Sequence, residues 1–476
     1  MDIDEYVAHD AVALAELVAR GEVQPEELLD VALRVHDATN PQINAVTHDL
    51  RDFACEEIAR GLPDGPFRGV PFLLKDQYQQ LTGTVTTNSC RVFAGSVADH
   101  DSTLTARYRR AGLVIFGKTN TPELAMSPTT EPLLFGPSRN PWAPDRTTGG
   151  SSGGAAAAVA AGMVPAAHAS DGGGSIRIPA AACGLVGLKP TRGRVPLGPK
   201  VFENWAGATC AHVVSRTLRD TAALLDATAG PELGDSYVCR PHEGTFLDEL
   251  GRAPGTLRVA LMLEPWRTEV PVDPEVRAAV EHTARLLEQL GHQVVDARPA
   301  FDLDVLLAGF GTITTSGMAA MLDREAARRG RPITEDDLEP AGWFLYQRGK
   351  AVTGAAYVDA VGAVQEATRT AARFHLDHDI LLSPTLATPP PPIGTMNGAD
   401  PVASLQAGGR FSPFTTLMNL TGEPSISLPL ARTAGGLPIG VMFTAALGEE
   451  GMLLRLAGQL EAAAPWPTAP APLSTR

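Results

Sequence analysis

The residues whose types and spacing could do chemistry are concentrated between positions 75 and 179. In SDGGGSIRIP, Ser170 to Pro179, three consecutive glycines end in a serine. Such a run lets the backbone turn several N–H groups toward one point, which is how an oxyanion is stabilised. Ser175 closes the loop. One reading is a nucleophilic hydroxyl beside N–H groups supplied by Gly172, Gly173 and Gly174. The other is a tight turn with a helix-capping serine, and Pro179 suits the first turn of the helix that would follow.

A serine nucleophile needs a base. Of the eleven histidines only His168 lies near in sequence, in an Ala-rich segment where a structural role is the default. Lys75 is the stronger candidate. It follows the short apolar run Val70–Leu74 and so enters the interior, where desolvation lowers a lysine pKa from about 10.4 toward neutrality. Each unit of that shift costs about 1.36 kcal/mol, so a partly neutral lysine requires burial and good hydrogen bonds. A salt bridge from Lys75 to Asp76 or another carboxylate is the competing reading.

The run RTTGGSSGGAAAAVAAG, residues 146–162, reads by composition as a flexible connector. No lysine follows its glycines, so it is not a phosphate-cradling GxxxxGK[ST] loop. GGSSG matches GxSxG letter for letter, but a nucleophile elbow follows a buried strand, and RNPWAPDRT is not one.

These residues must be positioned by strands alternating with helices. AVALAELVAR (11–20) has helical periodicity and stops at Gly21, and a second helix follows Pro25. Val70–Leu74 and Leu113–Phe116 read as short buried strands with a helix around Ser102–Ala111 between them. Ala155–Ala161 is strongly helix-forming. From about 215 to 380 the pattern is mostly helical, with one strand at Leu257–Leu261. Strands return in DILLSP, PSISLPL and LPIGVMF, and a last helix lies near 449–463. The pattern predicts one large α/β domain over 1–476. It divides into N-terminal helices (1–60), a core (65–200), a variable helical region (215–380) and a return to the core sheet (380–476).

The 44% hydrophobic content is ample for a sizeable core, and a net charge of −15 disfavours nucleic acid or an anionic membrane as partner. Only five of the 39 basic residues are lysine (Lys75, Lys118, Lys189, Lys200, Lys350), so each merits a question. Five scattered cysteines without a CxxC pair read as reduced thiols, and no zinc motif is present. The acidic N-terminus lacks the plan of a signal peptide, and no uninterrupted apolar run has the length of a membrane span. A cytoplasmic protein is expected.

Together GVPFLLKD, GKTNTPE, GPSRNPW, GGSSGG, SDGGGSIRIPAAACGLVGLKPTRGRV, NLTGEPSISLP and GLPIGV resemble the amidase signature family. The match covers most of the chain and is densest from about 65 to 200. The resemblance implies an α/β/α fold with a central mixed sheet surrounded by helices, and a Ser–Ser–Lys triad in place of Ser–His–Asp. Ser175 then matches the nucleophile, Ser151 a bridging serine on a cis peptide, and Lys75 the base. The oxyanion hole falls on the N–H groups of Gly172 to Ser175. Asp171 and Arg177 match positions that brace the loop, and Ser152 is read as fixing the glycine run. No metal or organic cofactor is implied.

Family members carry Thr or Gly where Gly172 stands, and the third glycine is expected to leave room beside the oxyanion hole for broader acyl groups. The N-terminal half is similar to nylon-oligomer hydrolases, whereas Met126 makes the pocket more apolar and widens the candidates to aryl and other hydrophobic amides. An ester or urethane (carbamate) presents a comparable carbonyl. The substrate pocket is expected along 126–135 and 305–350, with Met126, Thr129, Thr314 and Trp343 as lining candidates. A rival is the ammonia-producing component of a glutamyl-tRNA amidotransferase, which shares the triad but works inside a larger assembly. The expected partner is a small-molecule amide, and a homodimer is compatible with the chain.

Overall fold

The structure is a computed structural model and describes residues 1–201, 203–471 and 473. Strands β1 (Val46–Asp49), β2 (Pro71–Lys75) and β3 (Val114–Thr119) form a small sheet with β3 central, antiparallel to β1 and parallel to β2. Every residue of β2 and β3 is buried, which is why both read as short continuous apolar runs. Lys75 is the last residue of β2 and is carried inward with it.

A half-exposed hairpin, β4 (Arg139–Asn140) and β5 (Ala143–Thr147), leads into the glycine–serine run. The segment before GGSSGG is thus a strand, but not a core strand. The main sheet comprises β6 (Ala166–Asp171), β7 (Val186–Lys189), β8 (Cys210–Ser215), β9 (Arg258–Leu261), β10 (Gln293–Asp296), β11 (Ile380–Pro384), β12 (Ser425–Arg432) and β13 (Pro438–Ala445). Its order is β10-β9-β11-β13-β12-β7-β8-β6. The β10–β9 and β9–β11 pairs are parallel and the others antiparallel, so the sheet is mixed.

Helix Gly153–Ala160 is buried at every residue and touches strands of both sheets. Its run of alanines supplies helix propensity without side-chain bulk, so it fits between layers. The main sheet presents β6 at this side, where the backbone N–H of Lys75 donates to His168 Nδ1 at 3.2 Å. The two sheets therefore meet at Lys75.

Helices Pro340–Lys350 and Gly354–Phe374 both pack on helix Leu303–Arg329 in the region expected to be helical. β10 was not anticipated there: it is a short, mostly exposed edge strand without alternation. Among the described residues, one helix, Leu303–Arg329, bears on membrane spans. It is long and apolar enough to cross a membrane by length and composition, although Asp304, Asp323, Arg324 and Glu325 punctuate it. In the fold it is partly buried against its helical neighbours, and Phe310, Thr314 and Met318 on it face the cavity at the glycine loop.

Candidate active site

Three loops and strand ends converge. Lys75 ends β2, Ser151 lies between β5 and helix Gly153–Ala160, and Ser175 lies between β6 and helix Arg177–Cys183. The glycine–serine run is buried from Gly149 to Gly154 and is not a linker. A Cβ at Gly150 would lie 2.6–2.7 Å from the backbone of Thr129, so only glycine permits that approach. The Gly150–Ser151 peptide is cis.

Lys75 has no solvent exposure. Its Nζ lies 2.7 Å from Ser151 Oγ and 2.9 Å from Ser170 Oγ. Burial pushes its pKa well below the ordinary lysine value, opposed by the negative charge of Asp171, so the neutral amine is favoured. The alternative salt bridge with Asp76 does not form. Successive side chains of an extended chain point to opposite faces, and the Asp76 carboxylate accepts the Thr87 N–H at 3.0 Å and the Thr87 hydroxyl. His168 accepts at Nδ1 from Lys75 N–H, so its proton sits on Nε2. Burial, then Lys75 and His212, hold its pKa well below the ordinary value. It is a neutral spacer between the sheets.

Ser170 was not anticipated. Its hydroxyl donates to Gln77 Oε1 at 2.9 Å and so accepts from Lys75. Ser152 exchanges hydrogen bonds with the Ser170 backbone, donating to its carbonyl at 3.2 Å and accepting its N–H at 3.3 Å, which ties the glycine run to β6.

Asp171 and Arg177 form a buried bidentate pair, Nε–Oδ2 and Nη2–Oδ1 both at 3.0 Å. Burial raises the Asp171 pKa, but Arg177, Lys189 and the Asn419 amide outweigh it and hold the carboxyl at about 2. Asn419 donates to Asp171 Oδ1 at 2.8 Å and accepts from Arg177 Nη2 at 2.7 Å. It is 242 residues from Arg177, and nothing local in the sequence signals it. Asp171 also accepts the N–H of Gly174 at 2.6 Å and of Ile176 at 3.1 Å. The Gly174 N–H is therefore committed, which narrows the expected oxyanion donors. Among the described residues, the N–H groups of Gly172, Gly173 and Ser175 have no acceptor. Gly174 adopts φ +133°, and the Thr415 hydroxyl holds the Gly173 carbonyl at 2.6 Å, so the peptide planes of the loop are set from both sides.

A cavity of ≈ 240 Å³ opens onto Ser175 and Gly173. Of the pocket candidates named from the sequence, Met126, Thr129 and Thr314 line it. Trp343 does not. Helix Pro340–Lys350 turns Ala341, Gly342 and Leu345 to the cavity, and Trp343, on another face, packs against Tyr346 with ring centroids 5.7 Å apart. A third side, from Met396 to Thr416, lay outside both expected segments. Trp205 and Phe310 also line the cavity. The room expected beside Gly172 is filled, because a Cβ there would lie 2.4 Å from Trp205 Cζ3. Among the described residues, the charged members of the lining are Glu123, Glu131 and Glu339, with no Lys, Arg or His. Burial, reinforced by the nearby Glu339, pushes the Glu123 carboxyl up to about 8.

A buried amine hydrogen-bonded to a buried serine, a second serine at the cavity and free N–H groups beside it are brought together here. The Amidase family profile matches residues 27–454. The 6-aminohexanoate-cyclic-dimer hydrolase of Paenarthrobacter ureafaciens is 41% identical over 470 residues, covering 96% of this chain and 95% of that protein. A solved structure of 6-aminohexanoate cyclic dimer hydrolase superposes with a TM-score of 0.91 at 40% identity, over 98% of this chain and 99% of the other. A bacterial aryl acylamidase of the amidase signature family gives a TM-score of 0.87 at 26% identity, over 96% of each chain. The chain belongs to the amidase signature family and is a hydrolase of amide C–N bonds.

Proposed function

We propose that the protein hydrolyses hydrophobic carboxylic amides through a Ser175 acyl-enzyme, with Ser151 as proton bridge and Lys75 as base. The observation that carries this reading is the buried Lys75 amine held 2.7 Å from Ser151 Oγ, where burial favours its neutral form. Among the described residues Ser175 Oγ makes no hydrogen bond, so the step from Ser175 to Ser151 belongs to the proposal.

Lys75 takes a proton from Ser151 as Ser151 takes one from Ser175. Ser175 Oγ bonds to the carbonyl carbon, and the oxyanion receives the free N–H groups of the glycine loop. The relay then runs backward, protonating the leaving nitrogen as the C–N bond breaks. Water repeats the sequence on the ester and frees the acid. The mostly apolar lining suits an aliphatic or aryl acyl group, and the similarity to cyclic-dimer hydrolases makes aminohexanoate-type amides the first substrates to try.

A glutamine-dependent amidotransferase component is the weaker reading. Glutamine presents an α-carboxylate, and among the described residues the lining offers it three carboxylates and no cation. The test is a hydrolysis panel of anilides, aliphatic amides, cyclic amides, esters, carbamates and glutamine, with Ser175→Ala as blank. Amide cleavage lost in Ser175→Ala is expected. Activity retained in that variant, or confined to glutamine, contradicts the reading. A preference for the carbamate or ester arm reassigns the substrate.

A further inference from the structure

We propose that Trp205 is a specificity-determining residue of this site. Its indole forms the wall of the acyl pocket beside the oxyanion loop, and Gly172 and Gly317 lack side chains so that it can sit there. The inference rests on the assignment of Ser175 as nucleophile.

The indole bridges two elements that chain connectivity does not join. On its benzo edge, a Cβ at Gly172 would lie 2.4 Å from Cζ3 and 2.8 Å from Cε3. On its pyrrole edge, a Cβ at Gly317 of helix Leu303–Arg329 would lie 3.2 Å from Cδ1 and 3.4 Å from Nε1. The ring thus occupies side-chain space at both positions. Phe310, one face along the same helix, meets it edge-on at 6.1 Å and 89°, and its Cζ would lie 3.3 Å from a Cβ at Gly173. Trp205, Phe310, Gly173 and Ser175 all line one cavity, so this aromatic pair borders the space next to the reacting carbonyl.

The backbone is held to present this ring. Trp205 and Ala206 have φ of +56° and +51°, a left-handed conformation that bulky side chains rarely adopt and that clusters at functional sites. The turn is closed by Ala208 N–H to Trp205 O at 3.1 Å and by Arg192 Nε to Gly207 O at 2.8 Å. Arg192 also donates to Leu420 O at 2.6 Å, beside the Asn419 that braces Asp171. The wall and the oxyanion loop are therefore anchored to one helix end. Simple core packing explains an aromatic at 205, but not two bare positions at its opposite edges together with a ring face on the cavity.

Next to the carbonyl, the pocket then accepts an unbranched acyl chain lying along the indole and refuses one that is branched or aromatic at that carbon. The test compares kcat/KM for straight-chain, α-branched and benzoyl anilides. The variants are Trp205→Ala, Trp205→Phe, Gly172→Ala and the Gly172→Ala/Trp205→Ala double variant, with Ser175→Ala as blank. Trp205→Ala should raise the branched-to-straight ratio by about tenfold or more, and Trp205→Phe by less. Gly172→Ala should lower activity in the parent and cost little once the indole is gone. An unchanged ratio in both Trp205 variants, or an equal Gly172→Ala effect in both backgrounds, overturns the proposal. Trp205→Phe keeps an aromatic ring in place and supplies the comparison if Trp205→Ala does not fold. Hydrolysis persisting in Ser175→Ala would instead overturn the nucleophile assignment.

Discussion

Lys75 Nζ lies 2.9 Å from Ser170 Oγ, and Ser170 gives its own proton to Gln77 Oε1. One amine N–H is thereby drawn toward Ser170, and in the proposed relay this leaves the nitrogen lone pair to take the proton of Ser151. Ser170→Ala should lower kcat/KM by about 10–100-fold, the loss of one buried hydrogen bond of about 1–3 kcal/mol. An accepted hydrogen bond favours the ammonium, so its removal should also move the acid limb of the pH profile to lower pH. A purely structural role would lower the rate without moving the limb.

Lys75→Ala should reduce amide cleavage by at least about 10²-fold, the usual lower contribution of a positioned base. Lys75→Arg should be as damaging, because guanidinium does not deprotonate in the working range. Burial depresses the Lys75 pKa, so activity in the parent should rise with pH and level off well below the ordinary lysine value. Steady-state pH profiles on an anilide check both points.

Asp171 titrates at about 2 in the fold against 3.8 for the ordinary group. Its folded pKa is depressed, so its stabilisation is complete above the ordinary value and is lost as pH falls through about 2. The shift corresponds to about 2 kcal/mol. Asp171→Asn leaves Arg177 buried without its charge partner and should destabilise by about 3–5 kcal/mol. Denaturant melts from pH 2 to 7 should show the variant losing stability mainly at the neutral end.

Glu123 titrates at about 8, raised by burial and by Glu339. Its folded pKa lies above the unfolded value of 4.5, so its contribution is complete below 4.5 and is lost as pH rises through about 8. Glu123→Gln keeps an oxygen for the Glu339 N–H, now 2.9 Å away, and has no charge to bury. The Tm of the variant should match the parent near pH 5 and exceed it at pH 9.

Much of this arrangement is readable locally. A lysine closing an apolar run and a serine closing three glycines announce burial and a shaped loop within a few residues. β6 was harder, because AAHASD carries alanines that favour helix, and only pairing with β8 makes it a strand. Asn419, Thr415 and Trp205 act over hundreds of residues or through a turn of unusual backbone, and neither leaves a periodic signal. Trp343 was named as an aromatic of the 305–350 segment, but one position along a helix rotates a side chain by about 100°, enough to take it off the lining. At Gly172 the missing side chain implied space, and the structure fills that space with an indole.

The most direct test of the central claim is rapid-quench peptide mass spectrometry with a slowly deacylating activated ester. The account predicts an acyl adduct on the peptide carrying Ser175, formed in a burst, absent in Ser175→Ala and slowed in Lys75→Ala. An adduct on Ser151 or Ser152, or turnover with no covalent species and no burst, would contradict it.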